Sequence, residues 1–204
     1  MKTLSRAAYI FFCALPPILF CYCCGDLMFP LAVAIAVHEC GHLAMLRALG
    51  GKMCGFRPAP FGLCIEFDNS SLSLFGEMAV STAGCVVNVL SVLVSLLLYK
   101  FFGIDIIDFG IVSAALAILN LIPAKPLDGG RFLEVFAEIL FGPKASFVIS
   151  AVAAYIFGVI VFLFASYSLL TSQNGIYPLL FSIYLFLCNA KMLEKAVFEE
   201  KQSI

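Results

Sequence analysis

Six apolar runs follow one another along this 204-residue chain, and they leave few folds open to it. They lie near Ala7 to Cys24, Leu27 to Leu46, Met78 to Tyr99, Phe109 to Ile122, Ala145 to Leu170 and Ile176 to Ala190. A hydrocarbon core of about 30 Å is crossed by a helix of about 20 residues, so the series reads as transmembrane helices. The fourth run is short and meets Pro123 and Pro126. That predicts a broken helix whose irregular end faces protein or a wet cavity. With 63% hydrophobic and only 12% charged residues, the chain carries more apolar surface than one soluble core could hide. The expected fold class is an all-α polytopic membrane protein of six spans, one domain over residues 1–204.

Basic residues give the orientation, because cytoplasmic loops carry the positive charge. With the N-terminus inside, Lys2, Arg6, Arg47, Lys52, Arg57, Lys125, Arg131, Lys144, Lys191, Lys195 and Lys201 fall inside and only Lys100 falls outside. Both termini are therefore expected in the cytoplasm. Lys2 and Arg6 before the first run imitate a secretory signal, but no small-x-small cleavage pattern follows, and Phe20 before Cys21 does not suit a lipoprotein signal. The nine cysteines lack the paired spacing of a zinc ribbon and read as small buried hydrophobes in a reducing setting. A formal net charge of -1, with no basic patch outside the loops, gives no reason to expect nucleic acid as a partner.

Between the second and third runs, Gly50 to Gly76 is the one sizeable polar stretch, and it holds the alternation Leu63, Cys64, Ile65, Glu66, Phe67. This predicts a short re-entrant or strand-like segment, with a plain loop as the alternative because Pro58, Pro60 and Gly62 interrupt it. Past Ala190 there remains a short charged tail, Lys191 to Ile204.

The second run contains His38-Glu39-Cys40-Gly41-His42, with the only two histidines of the chain. Four helical residues bring both imidazoles onto nearly one face, one turn apart, where they can share a zinc ion. Glu39 can then approach the open coordination position as a general base. An ionisable group at membrane depth costs about 2.5 to 3.5 kcal/mol on insertion scales, which makes Glu39 a functional candidate by default. Nine residues separate His38 from Arg47, placing the site about 13 Å below the cytoplasmic surface.

Two histidines leave a catalytic zinc one protein ligand short. Asp128 is the candidate, in the run Asn120-Leu121-Ile122-Pro123-Ala124-Lys125-Pro126-Leu127-Asp128-Gly129-Gly130-Arg131. There the prolines end the fourth helix and the glycines let backbone turn closely past a metal.

HExxH in one span and NxxPxxxLDGG at the end of a later one resemble the site-2 protease family of intramembrane metalloproteases, peptidase family M50. Ala83-Gly84 followed by Asn88 is similar to the small-residue and asparagine motif of that family's middle core helix, with Cys85 where a proline is common. The layout is most similar to the six-span sporulation type, the stage IV sporulation protein FB group, whose members process a membrane-associated pro-sigma factor. The resemblance covers residues 27–131 strongly and the remaining spans only by topology. No PDZ-like insertion separates the motifs and no C-terminal CBS domain is expected.

The resemblance implies regulated intramembrane proteolysis in a bacterial cell membrane, with one zinc per chain, a membrane-associated protein substrate and a membrane-embedded inhibitor or regulator as further partner. It also implies that Asn120, Asn88 and Pro123 help hold substrate or a transition-state oxygen, and that the Gly50 to Gly76 segment pairs with an extended substrate strand. A metal transporter or a catalytically inactive client-binding protein is the alternative. A transporter needs polar groups along a whole path, whereas only Glu39, Asn88, Asn120 and Asp128 lie near membrane depth.

Overall fold

A computed structural model describes residues 25–51, 53–59, 62–67, 72–171, 179–186 and 188–189. The first predicted span, Ala7 to Cys24, and the charged tail lie outside these residues. Among the described residues three helices are long and apolar enough to cross a membrane, and Ile107–Asn120 is a shorter apolar one. The chain divides into two compact units, Met1–Ile118 and Leu119–Ile204.

In the first unit a 3-10 turn, Gly25–Leu27, leads into helix α1, Met28–Ala48. Pro30 falls in its first turn, where no intrahelical N–H is lost. The helix stops at a Schellman motif, in which Gly50 (φ 71°) and Gly51 donate their N–H groups to the carbonyls of Arg47 at 3.0 Å and Leu46 at 2.9 Å. The predicted strand-like segment is an antiparallel hairpin of β1, Met53–Ala59, and β2, Gly62–Phe67, with Phe56 opposite Ile65 and Ala59 opposite Gly62. A register shift between Met53 and Gly55 puts a bulge in β1.

Helix α2, Leu74–Phe102, begins at Ser73, whose hydroxyl accepts the Gly76 N–H at 3.1 Å, and ends at Gly103 with φ 65°. Its buried stripe is small and polar: Val80, Ala83, Gly84, Asn88, Ser91 and Ser95. Its large residues point outward, with Val89, Leu90, Leu93, Val94, Leu96 and Leu97 each 50–54% exposed. That is the reverse of a water-soluble helix. It suits lipid, where helices associate through close backbone approach and polar contacts rather than by hiding large apolar groups. Helix α3, Ile107–Asn120, starts against α2: Ser95 donates to the Ile106 carbonyl at 2.8 Å. A Cβ at Gly110 would come 2.9 Å from Ser95 Oγ.

Helix α3 ends at Asn120, two residues short of the predicted Ile122, and non-helical chain carries Pro123 and Pro126 to helix α4. Helix α4, Asp128–Thr171, opens on Asp128 itself and comprises two helices divided at Gly142 (φ 82°, ψ 169°) and Pro143. The first of these was not expected from the sequence, whose fifth apolar run begins at Ala145. In the second unit Ala124, Leu127, Ala154 and Leu185 form a buried cluster, with Ile122, Val161 and Phe181 packed against it. Leu185 and Phe181 belong to the last helical stretch, residues 179–186 and 188–189, which falls in the sixth predicted run.

The conformation of Gly142 is open only to glycine, and a Cβ there would meet nothing within 4 Å among the described residues. Gly142→Ala should therefore lower stability by about 1 to 3 kcal/mol through backbone strain alone. Unfolding titrations in mixed micelles check this; an unchanged midpoint would show that the break tolerates a side chain.

Candidate metal centre

His38 and His42 are the two buried polar side chains of α1, 4% and 9% exposed. Their rings meet edge to face with centroids 4.7 Å apart, and the two Nε2 atoms lie 3.1 Å from one another. The approach of α2 makes room for them. A Cβ on Gly84 would collide with His42 Nε2 and come 2.6 Å from His38 Cε1, so only glycine fits there. Gly41 plays the same part from the other side, since a Cβ on it would lie 2.9 Å from Val87 Cγ2. Glu39, the next residue, is half-buried and Cys40 is exposed.

Helix α2 also supplies partners for the ring nitrogens that face away from the pair. His42 Nδ1 lies 2.7 Å from the Val80 carbonyl oxygen. A carbonyl can only accept, so Nδ1 carries the hydrogen and Nε2 keeps a lone pair. His38 Nδ1 lies 3.2 Å from the side-chain amide of Asn88, which is fully buried. The Nε2 pair needs a proton or a cation between its atoms, because two facing lone pairs 3.1 Å apart repel. The arrangement fits a metal ion such as zinc: imidazole donors, converging Nε2 atoms and a carbonyl that fixes the tautomer of one ring.

In the second unit Asp128 is half-buried at the first turn of α4, where the helix dipole favours a carboxylate. Gly129 and Gly130 hold its backbone tightly. A Cβ on Gly129 would strike the Leu121 carbonyl, and one on Gly130 would lie 2.7 Å from the Ala124 oxygen. Asn189 was not singled out from the sequence, yet its amide closes this loop. Its Oδ1 accepts the Lys125 N–H at 3.3 Å while its Nδ2 donates to the Lys125 carbonyl at 2.7 Å. Lys125 and Arg131 both pair with Glu134, at 2.8 and 3.2 Å. An asparagine inside an apolar run was the available signal for Asn189. Asn120, the last residue of α3, and Pro123, in the following turn, are half-buried.

Comparison with known proteins agrees with this chemistry. The family model described as Peptidase family M50 matches residues 106–165. A curated zinc metalloprotease of Methanocaldococcus jannaschii is 30% identical over 127 residues, 59% of this chain and 37% of its own. The chain thus spans little more than a third of that relative's length. The solved structure of the site-2 protease from Methanocaldococcus jannaschii superposes with a TM-score of 0.66 at 26% identity, covering 90% of this chain and 87% of that one. Together these findings show that the chain is similar to the peptidase M50, or site-2 protease, family.

The close approach at Gly84 can be tested directly. Gly84→Ala should cost about 1 to 3 kcal/mol by overpacking and weaken metal uptake, because the added carbon occupies the place of the imidazole edges. Gly25→Ala is the control, since no described residue would lie within 4 Å of a Cβ at that position. Thermal unfolding in detergent and zinc titration of both variants are the measurements; equal behaviour would remove the steric account.

Proposed function

We propose that this chain is an intramembrane zinc metalloprotease, hydrolysing peptide bonds of membrane-embedded or membrane-associated proteins at one zinc held by His38, His42 and Asp128. The reading is carried by the two buried imidazoles whose Nε2 atoms converge at 3.1 Å, one of them with its tautomer fixed by the Val80 carbonyl. Asp128 is taken as third ligand from the pairing of its Asp-Gly-Gly motif with HExxH in the sequence, and it opens helix α4 half-buried, with its backbone set by Gly129 and Gly130. Two nitrogens and a carboxylate leave one position open, which is the pattern of a catalytic rather than a structural zinc.

A bound zinc supplies Lewis acidity and brings the pKa of water toward about 7. Glu39 takes the proton from that water and returns it to the leaving amine, a general acid–base role for which its place beside His38 suits it. Asn120 and Pro123 border the substrate at the start of the loop that leads to Asp128. The hairpin β1–β2 offers an extended substrate segment a strand to pair with. Such pairing suits a substrate whose helix has unwound locally, since a helical peptide bond is shielded by its own hydrogen bonds.

We place six spans in the membrane with both termini cytoplasmic and the active site nearer the cytoplasmic face, on the strength of the basic residues. A sporulation-type role in regulated intramembrane proteolysis, acting on a pro-sigma factor and restrained by a membrane-embedded regulator, rests on the likeness of layout alone.

Glu39→Gln should keep zinc at one per chain and lower cleavage by at least about 10²-fold, while His38→Ala and Asp128→Ala should each reduce zinc. Metal analysis and co-expression with a tagged candidate substrate check both. Cleavage at the wild-type rate in Glu39→Gln would overturn the assignment of the base. Reporter fusions near Lys52 and at the C-terminus should read cytoplasmic and one near Asp105 external; a cytoplasmic signal at Asp105 would sink the six-span topology.

A further inference from the structure

Asn88 is fully buried at a position where its amide meets one ring nitrogen of His38, 3.2 Å away, while its other polar atom has no hydrogen-bond partner among the described residues. Amide oxygen and nitrogen are alike in shape, so the orientation follows from the chemistry of the neighbours. Because no described residue holds the second amide atom, a half turn of the group breaks no further hydrogen bond among them. The two orientations have opposite consequences for the histidine pair. With the NH₂ group toward His38, Nδ1 must accept, the ring hydrogen sits on Nε2, and it is donated across 3.1 Å to His42 Nε2. Both lone pairs are then used up. With the oxygen toward His38, Nδ1 carries the hydrogen and Nε2 offers its lone pair beside that of His42.

We propose that Asn88 is a positioning residue for His38: its amide oxygen accepts the Nδ1 hydrogen and so turns the Nε2 lone pair toward the metal position. The inference rests on the reading of His38 and His42 as zinc ligands, and it differs from the sequence expectation that Asn88 holds substrate. It makes Asn88 the counterpart of the Val80 carbonyl, so that α2 fixes both tautomers of α1 from two positions eight residues apart. Partners of this kind commonly govern metal affinity by about 10- to 100-fold.

The chain has only two histidines, so protein labelled with [15N]histidine gives two imidazole signals whose tautomers can be read separately. In metal-free wild type with neutral rings, His42 should carry its hydrogen on Nδ1, and His38 should populate the Nδ1–H form to an extent set by Asn88, against the repulsion of the two facing Nε2 lone pairs. Asn88→Leu should shift His38 toward the Nε2–H form, leave His42 unchanged, and weaken zinc binding by about 10- to 100-fold. Asn88→Asp should restore both, because a carboxylate can only accept. An unchanged His38 tautomer and zinc affinity in Asn88→Leu would reduce Asn88 to packing and overturn the proposal. So would a loss of zinc in Asn88→Asp as deep as in Asn88→Leu, since that marks the amide as a donor. If wild type binds no zinc while His38 still follows residue 88, the metal reading falls and the assignment of Asn88 to the His38 tautomer stands.

Discussion

Two imidazoles buried one turn apart on α1 are the constraint on which the first unit is built. Neutral polar rings removed from water need a partner for every nitrogen, and in a chain this apolar few groups can provide one. Helix α2 provides two, the Val80 carbonyl and the Asn88 amide. It can reach the rings only because Gly84 has no side chain. The carbonyl is notable because a helical C=O normally serves its own helix, and its second lone pair is free for an outside donor. A substitution that pushed α2 away would leave two ring nitrogens unpaired at once, so packing and polar satisfaction are coupled at this contact.

The same economy explains the rest of the helical structure. Where lipid is the solvent, large apolar side chains gain little by turning inward, and the buried stripes are left to small residues and to hydroxyls that bond locally. Ser91 donates to the Val87 carbonyl at 2.9 Å, and Ser95 reaches the start of α3. In the second unit the non-helical segment 121–127 exposes backbone groups that lipid could not satisfy. Asn189 answers both polar groups of Lys125, and Gly129 and Gly130 let α4 begin directly against the segment's carbonyls. The segment 121–127 is thus paired with a side chain and with close backbone contacts.

Local periodicity made part of this legible. The four-residue spacing of His38 and His42 predicted their shared face, and apolar runs predicted α1, α2, α3 and the second part of α4 to within a few residues. The alternation around Ile65 pointed to a strand, which the backbone register of the hairpin bears out. What stayed hidden depends on distant partners or on one residue's conformation. Nothing local to Asn88 says that its amide faces a ring fifty positions earlier, and nothing local to Asn189 says that it grips Lys125. The helix opening at Asp128 was missed because its first half, with Arg131, Glu134 and Glu138, does not read as an apolar run. Gly142 and Pro143 then divide it where the sequence had suggested a fresh start.

The different supports given to the histidines and to Asp128 follow from their chemistry. A neutral imidazole presents one lone pair, on the nitrogen without the hydrogen, and to aim it the ring must be fixed in rotation and in tautomer; that calls for a polar partner on the opposite nitrogen. A carboxylate has two equivalent oxygens and no tautomer to choose, so it is positioned mainly by where its backbone begins. In this chain the histidines ride on a regular helix and borrow their orientation from α2, while Asp128 is the first residue of α4, with its backbone set by two glycines and a loop gripped by Asn189. Regular helix suffices where a neighbouring helix supplies the partners. In the segment 121–127 irregular backbone, costly in a membrane, is what sets the position of the Asp128 carboxylate.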